Sequence, residues 1–353
     1  MQSALWGNFK ARFGWEALAF EVQWETGGNV SATPLLALRR SFSLGAAIHF
    51  SLIYIPWGPQ LPTAVPVHTD AERWAALKEL AAALKGHVPP DTVFIRFDPP
   101  WYTAEENPPE EPAAAFVPEA QIPPPFVRAS ADVQAPDTVL VDLAPPMEDI
   151  LARMKPKWRY NARLALKKGV TVRRAAAEEM SVFYDLLKET AERDGIAIHS
   201  AEYYRTLLDR GKVAGGCAAA DTRLYLAEHE GDVLAGIVTL FRGREAVYLY
   251  GASSGKKRSL MSPYALQVQA MQDAKDAGCA EYDLFGIAPS SDPSHPMAGL
   301  YRFKTGFGGK IVHRPGSWDF PCHPIVYRLF RTAEARRRAL RKMLLSFRKK
   351  LAH

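Results

Sequence analysis

The sequence predicts an α+β fold of antiparallel strands and packed helices, and three observations carry that expectation. Residues 223–253, RLYLAEHEGDVLAGIVTLFRGREAVYLYGAS, read as three antiparallel strands with EGDV and RGRE as their turns. A helix follows at 262–278 (SPYALQVQAMQDAKDAG), and a short strand, AEYDLFGI, follows at 280–287. The 353 residues, 48% hydrophobic and 23% charged, suit two domains or one large one.

Nearer the N-terminus, LLALRRSF and AAIHFSLIYIP read as strands, the second stopped by Pro56-Trp57-Gly58-Pro59. DAERWAALKELAAALKGH is a helix with Asp70 as expected N-cap and Gly86 as its stop. DTVFIRFDPPW is a buried strand closing at Asp98-Pro99-Pro100, and the nine prolines of residues 99–125 mark an irregular loop. DTVLVDL (137–143) is a further strand. PPMEDILARMKPKWRYNARLALKKGV (145–170) reads as one helix ending at Gly169, TVRRA as a strand, and MSVFYDLLKETAERDG and HSAEYYRTLLDRG as helices. From about residue 180 the order is helix, helix, three strands, helix, strand.

That order is the layout of an acetyltransferase-like domain. In acetyl-CoA users the loop entering the helix after the fourth strand is glycine-rich, so that backbone N–H groups reach the pyrophosphate. Here residues 253–263 read SSGKKRSLMSP, with one early glycine and a proline that removes a donor at the helix start. The scaffold is expected without the CoA cradle. No internal repeat is visible in the sequence, although the first half has room for a diverged copy of the same architecture.

No apolar run approaches the roughly 20 residues of a membrane span, and the first residues, MQSALWGNFKARFGW, show no signal-peptide pattern. Cys217, Cys279 and Cys322 are widely separated and read as free or buried thiols of a reducing compartment. No HExxH or related spacing points to a metal. A soluble cytoplasmic protein is expected. The net charge of +6 is unevenly placed, since residues 328–350 hold ten Lys or Arg against one Glu. Such a tail suits RNA phosphates or an anionic membrane surface, or else a solvated amphipathic helix whose apolar stripe packs on the body.

Several stretches taken together resemble the FemA/FemB/FemX (FemABX) family, the aminoacyl-tRNA-dependent transferases that build peptidoglycan cross-bridges. They are QSALWGNFKARFGWEA, YIPWGP, IRFDPP, KPKWRYNARLALKKGV, YLYGASSGKKRSLMSPYALQ, AEYDLFGI, GLYRFKTGFGGKIVHRPGSWDFP and PIVYRL, in this order along the chain. The resemblance implies two acetyltransferase-like (GNAT-like) domains, expected at 1–145 plus about 316–353 and at 146–315. The long helical-hairpin arm of the staphylococcal members is not expected, because only residues 204–223 separate the helices from the sheet. The implied donor is an aminoacyl-tRNA and the implied acceptor is a stem-peptide amine of a lipid-linked or nucleotide-linked precursor. No metal, CoA or redox cofactor is implied, and contact with the inner face of the cell membrane is expected to be peripheral.

An aminoacyl ester is already activated, so the chemistry asks for a positioned neutral amine, a stabilised oxyanion and a path for one proton. From spacing alone Lys304, in GLYRFKTGFGG, reads as a lysine at a strand end with its head in water. The resemblance implies instead that it stabilises the oxyanion or the departing ribose oxygen, with Arg302 and Phe303 as neighbouring substrate contacts. Its glycines read as a tight turn beside substrate, anchored by Phe303 and Phe307. Asp98, on its own, reads as bonding its turn backbone. The resemblance assigns it to acceptor positioning and admits it as a base, although an ordinary carboxylate near pKa ~4 is a weak one.

His199 and Tyr203 fall where the resemblance expects an arginine and a tyrosine on one helix face against the acceptor, and histidine lacks the permanent fork for a diphosphate. Trp57 likewise stands where relatives commonly carry arginine. Tyr250 matches a tyrosine lining the acceptor site, and reads equally as a buried strand tyrosine. Asp319 is a candidate acid near Lys304. Lys155, Lys157, Arg159 and Arg163 form a cationic helix face that suits tRNA or precursor phosphates, or simply water. Two other readings remain open at this point: an N-acyltransferase of the same fold with another acyl donor, and a non-catalytic RNA- or membrane-binding protein.

Overall fold

The computed structural model describes residues 1–26, 28–44, 48–62, 69–105, 122–209, 212–213 and 220–351. Cys217 and most of the proline-rich stretch, residues 106–121, lie outside the described residues. In chain order the first part comprises α1 (Ala4–Ala11), β1 (Glu16–Thr26), β2 (Asn29–Leu44), β3 (Ile48–Ile55), α2 (Asp70–Lys85), β4 (Thr92–Phe97), β5 (Thr103–Glu105), β6 (Val127–Arg128) and β7 (Asp137–Asp142). Next come α3 (Met147–Arg153), α4 (Pro156–Lys167), β8 (Thr171–Ala175), α5 (Met180–Asp194), α6 (Ala201–Asp209), β9 (Lys212–Val213), β10 (Ala220–His229), β11 (Asp232–Arg242) and β12 (Glu245–Ser253). The chain closes with α7 (Ser262–Asp276), β13 (Glu281–Asp283), α8 (Ala298–Thr305), β14 (Lys310–His313), β15 (Trp318–Pro321) and α9 (Pro324–Leu351).

The strands form two sheets, in the orders β1-β2-β3-β4-β15-β6 and β5-β14-β7-β13-β12-β11-β10-β8, with β9 paired to β10. Each sheet contains the same unit. Three antiparallel strands are followed by a helix and a strand parallel to the third: β1-β2-β3, α2, β4 in one, and β10-β11-β12, α7, β13 in the other. The architecture is α+β with two acetyltransferase-like units, and only residues 210–219 separate α6 from β10, too few for a helical-hairpin arm.

The halves also exchange strands. β7, from before the expected boundary at 145, pairs with β13 in the second sheet, whereas β15 pairs with β4 in the first. β7 is buried along Thr138–Val141, and a strand buried on both faces needs a hydrogen-bonding neighbour on each side. β13 and β14 supply them. Sheet membership thus departs from the expected segment 1–145.

Two local expectations are corrected. The cap of α2 is Thr69 rather than Asp70: its hydroxyl accepts from Glu72 N–H and the Glu72 carboxylate accepts from Thr69 N–H, a reciprocal pair. The helix expected over 145–170 is two, α3 and α4, because Pro156 carries no N–H and holds Lys155 at an extended ψ of 142°.

One face of the second sheet packs on α3, α4 and α7 through Val139, Met154, Trp158, Leu266 and Tyr282. Its other face joins the halves: Trp6 and Phe9 of α1 share a core with Tyr203 and Leu207 of α6 and with Leu249 of β12. The first sheet packs on α2 through Trp74, Leu77, Ile95 and Phe97, while Tyr327 and Phe330 of α9 cover its Phe94.

Candidate active site

Lys304 lies in the last turn of α8 and is only 4% exposed, so the solvated strand-end reading is overturned. Its Nζ donates to the carbonyls of Phe285 and Gly286, both at 2.9 Å, and sits 5.1 Å from the ring centre of Tyr248. An ammonium has three donors, so one remains after the two carbonyls. Phe285 has φ +59°, a left-handed conformation that costs a non-glycine residue energy, held by its own N–H donating to Asp283 at 2.7 Å. Burial lowers the Lys304 pKa to about 7, and the Asp283 carboxylate opposes that shift.

The glycines around Lys304 serve packing against the protein itself. A Cβ at Gly306 would stand 2.1 Å from the Trp158 ring, and at Gly308 and Gly309 2.5 Å from the Arg153 and Leu140 carbonyls. The Trp158 indole N–H donates to the Phe303 carbonyl at 2.8 Å, and Lys155 N–H to the Gly306 carbonyl at 2.9 Å. GLYRFKTGFGG is therefore docked on the N-terminus of α4, which corrects its reading as a turn lying against substrate. Phe303 packs on Tyr264 and Phe307 at 5.3 and 5.1 Å. Arg302 is exposed, since two residues along a helix is a rotation of roughly 200° from Lys304.

Tyr248 and Tyr250 would share a face of a regular strand, but β12 has an irregular register here, with Val238 opposite Tyr250 and Thr239 opposite Tyr248. The extra residue, Leu249, sends Tyr248 toward the α7 core and Tyr250 toward α6. One bulge thus serves Lys304 on one side of the sheet and the Tyr203 cluster on the other.

Asp98 follows β4 directly and is 3% exposed. Its carboxylate accepts short hydrogen bonds from the hydroxyls of Tyr54 and Ser317, and Gln134 donates to Tyr54 Oη at 3.1 Å. These partners come from other elements, so the carboxylate is not spent on its own turn. Burial raises the Asp98 pKa to about 6, against the lowering effect of the Ser317 and Tyr54 hydrogen bonds.

A continuous chain of contacts joins the two buried charges across the junction between the sheets. Gly58 N–H donates to the Asp98 carbonyl at 3.1 Å, and Asp98 N–H to the Ile55 carbonyl at 3.1 Å. Next to Gly58, the ring of Trp57 meets that of Phe285 at 5.8 Å, and Phe285 carries the carbonyl held by Lys304. Trp57, like Phe285, has positive φ (+46°). Where the resemblance expects an arginine at 57, a guanidinium returns from another element: Arg314 lies 4.8 Å over the Trp57 ring.

His199 precedes α6 instead of lying on it, yet its ring stacks on Tyr203 at 3.9 Å and 17°. Tyr250 donates to Tyr203 Oη at 3.3 Å, so all three expected residues meet. Lys10, which sequence reading passed over, donates to the same hydroxyl at 3.2 Å, and burial lowers its pKa to about 8. The signal for it was its place in QSALWGNFKARFGWEA, one of the resembling stretches.

Asp319 is a correction. It sits in β15 of the other sheet, holding Arg96 by two bonds of 2.6 and 2.8 Å and accepting from Tyr327 Oη at 2.9 Å. The acid near Lys304 is Asp283, within the quoted AEYDLFGI. Lys155, Lys157 and Arg163 are exposed on α4, while Arg159 donates to the Ala152 carbonyl at 2.6 Å. In the 254–261 loop the Glu189 carboxylate accepts from Gly255 N–H at 2.5 Å and from Ser254 Oγ at 3.1 Å. The donors that would cradle a pyrophosphate already face a negative charge.

A model of the FemAB family matches residues 1–212 and 219–335. A lipid II:glycine glycyltransferase of Staphylococcus epidermidis is 22% identical over 260 residues, covering 58% of this chain and 62% of the relative. That of Staphylococcus aureus is 23% identical over 265 residues, covering 58% and 63%. The chain spans less than two thirds of the length of these relatives. The crystal structure of FemX superposes with a TM-score of 0.72 at 19% identity, covering 94% of both chains, a likeness of fold.

Proposed function

Because the chain belongs to the FemAB family, we propose that it transfers an amino acid from aminoacyl-tRNA to a stem-peptide amine of a peptidoglycan precursor, lipid-linked or nucleotide-linked. The observation that supports this best is the contact chain from Lys304 through Phe285, Trp57 and Gly58 to Asp98. It places a buried cation and a buried carboxylate at one junction, the two charges that ester aminolysis uses.

In the proposed reaction the acceptor nitrogen attacks the ester carbonyl carbon, and the carbonyl electrons move onto oxygen. The third N–H of Lys304 stabilises that oxyanion and then the ribose oxygen as the C–O bond breaks. Asp98, its pKa raised to about 6, positions the amine and takes the proton that the nitrogen loses. The departing ribose oxygen takes up that proton from Asp98, so one proton passes from nitrogen to oxygen and both side chains return to their starting states. Tyr203, Tyr250, His199 and Lys10 are assigned to the acceptor, and the exposed cations Lys155, Lys157 and Arg163 to phosphates of the tRNA. The ester is already activated, so the reaction draws on no cofactor. Glu189 at the 254–261 loop favours this donor over an acyl-CoA.

Work at a membrane surface is part of the proposal. α9 is held to the body by Tyr327 and Phe330, yet Ile325 and Leu329 are 76% and 68% exposed beside exposed Arg328, Arg336 and Arg337. An apolar row with flanking cations suits an anionic bilayer, where a lipid-linked acceptor resides. No helix among the described residues is long and apolar enough to cross a membrane.

The test is incubation of the protein with a mixture of charged tRNAs and either precursor, followed by mass analysis of the acceptor. An aminoacyl mass increment on the stem peptide is expected. No increment with any charged tRNA on either acceptor contradicts the reading.

A further inference from the structure

We infer that Arg314 binds an oxyanion of the acceptor, a carboxylate or a phosphate, at the junction between Lys304 and Asp98. The inference rests on the proposed aminoacyl transfer and adds the group that fixes the acceptor beside the reacting ester.

The Arg314 side chain is 9% exposed, and its charge is met by Asp283 and, at longer range, Glu281, yet its hydrogen bonding is incomplete. Its Nη2 is 3.5 Å from Asp283, at the limit of a hydrogen bond, and its Nη1 is buried with no partner among the described residues. Arg96, buried to a similar degree, shows the satisfied alternative, with two bonds of 2.6 and 2.8 Å to Asp319. Native proteins rarely leave a buried charged donor open, because its lost hydration is not repaid. Asp283 does not close on Arg314 because its other oxygen is already held by Thr138 Oγ1 at 2.5 Å and Phe285 N–H at 2.7 Å.

The geometry also keeps the guanidinium in place. It lies between Trp57, at 4.8 Å, and Tyr102, at 6.0 Å, and Arg314 N–H donates to the Pro136 carbonyl at 3.1 Å. Tyr102 is 40% exposed, so that side of the slot opens to solvent. Trp57, with its strained backbone, lies against it, and the equally strained Phe285 packs on Trp57 at 5.8 Å, as expected where backbone strain serves a ligand. Three residues further along the chain Ser317 holds Asp98, so an acceptor with its amine at Asp98 has Arg314 within reach. A planar guanidinium with a free N–H edge, fixed by stacking, is the chemistry that recognises a carboxylate or phosphate.

The test measures equilibrium binding by calorimetry, which needs no turnover, with the intact protein and its Arg314→Gln and Arg314→Lys variants. The probes are the nucleotide-linked stem-peptide precursor, the same precursor with its peptide carboxylates amidated, and the phosphate-free muramyl peptide. Arg314→Gln is expected to raise the Kd of the full precursor about tenfold or more at unchanged melting temperature, and Arg314→Lys to recover part of it. In steady state the loss is expected in the acceptor KM, with kcat and the KM for charged tRNA little changed. A penalty that vanishes with the amidated probe identifies a carboxylate, and one that vanishes with the phosphate-free probe identifies a phosphate. An unchanged Kd, or an equal penalty on all three probes, overturns the inference. Absence of transfer by the unsubstituted protein, with the Arg314 effect on binding intact, contradicts the proposed reaction instead.

Discussion

The indole N–H of Trp158 donates to the carbonyl of Phe303 at 2.8 Å, tying the start of α4 to the helix that presents Lys304. KPKWRYNARLALKKGV and GLYRFKTGFGG, two of the resembling stretches and far apart in the chain, are one structural unit. Gly306 is the point of closest approach, where a Cβ would be 2.1 Å from the Trp158 ring.

Gly306→Ala is therefore expected to destabilise the protein by about 1–3 kcal/mol through overpacking, and to lower transfer by displacing Lys304. Thermal melts and turnover of the same preparation check this. A variant with unchanged melting temperature and full turnover would mean that the contact does not position Lys304.

The proposed transfer requires Asp98 ionised and Lys304 protonated. Asp98 titrates near about 6, so activity rises through that pH; Lys304 titrates near about 7, so activity falls above it. The expected kcat/KM profile is a narrow bell between those limbs. Asp98→Asn should abolish the acid limb along with most of the rate. A flat profile between about pH 5 and 8, roughly one unit beyond each limb, counts against both assignments.

The Ser317 hydroxyl lowers the Asp98 pKa, and so does that of Tyr54. Removing either donor leaves the carboxylate harder to ionise, so Ser317→Ala and Tyr54→Phe are each expected to move the acid limb to higher pH. Movement to lower pH would assign that limb to another group.

At the membrane, Ile325→Ser combined with Leu329→Ser should weaken binding to anionic vesicles about 100-fold or more, since each side chain loses burial worth about 1.5–3 kcal/mol. Added salt should weaken binding further through Arg328, Arg336 and Arg337. Vesicle sedimentation reads both effects, and binding unaffected by the double substitution would reduce α9 to its packing role.

The fold was legible wherever local pattern and tertiary context agree. The β10–β12 strands, α7 and α5 carry strong periodicity and turn signals, and the structure has them. The placement of β7 in the second sheet was not legible, because a short apolar strand says nothing about which sheet edge it joins. The break at Pro156 was readable and lost to a strong helical pattern on either side. At the candidate site, Lys304, Asp98, Tyr203 and Tyr250 could be named from the sequence as candidates, but not their surroundings. Burial of Lys304 depends on two carbonyls turned together by the left-handed Phe285, which no spacing announces. Asp319 was misplaced because nearness in sequence to Lys304 hid its position in the other sheet. Arg314 and Lys10 went unnoticed because their partners come from remote segments.

The most direct test is transfer of a radiolabelled amino acid from charged tRNA to the precursor, run with the unsubstituted protein and Lys304→Met side by side. The account predicts robust transfer by the first and a loss of about 100-fold or more in kcat for the second, with the fold retained. Equal turnover by the two proteins would contradict it.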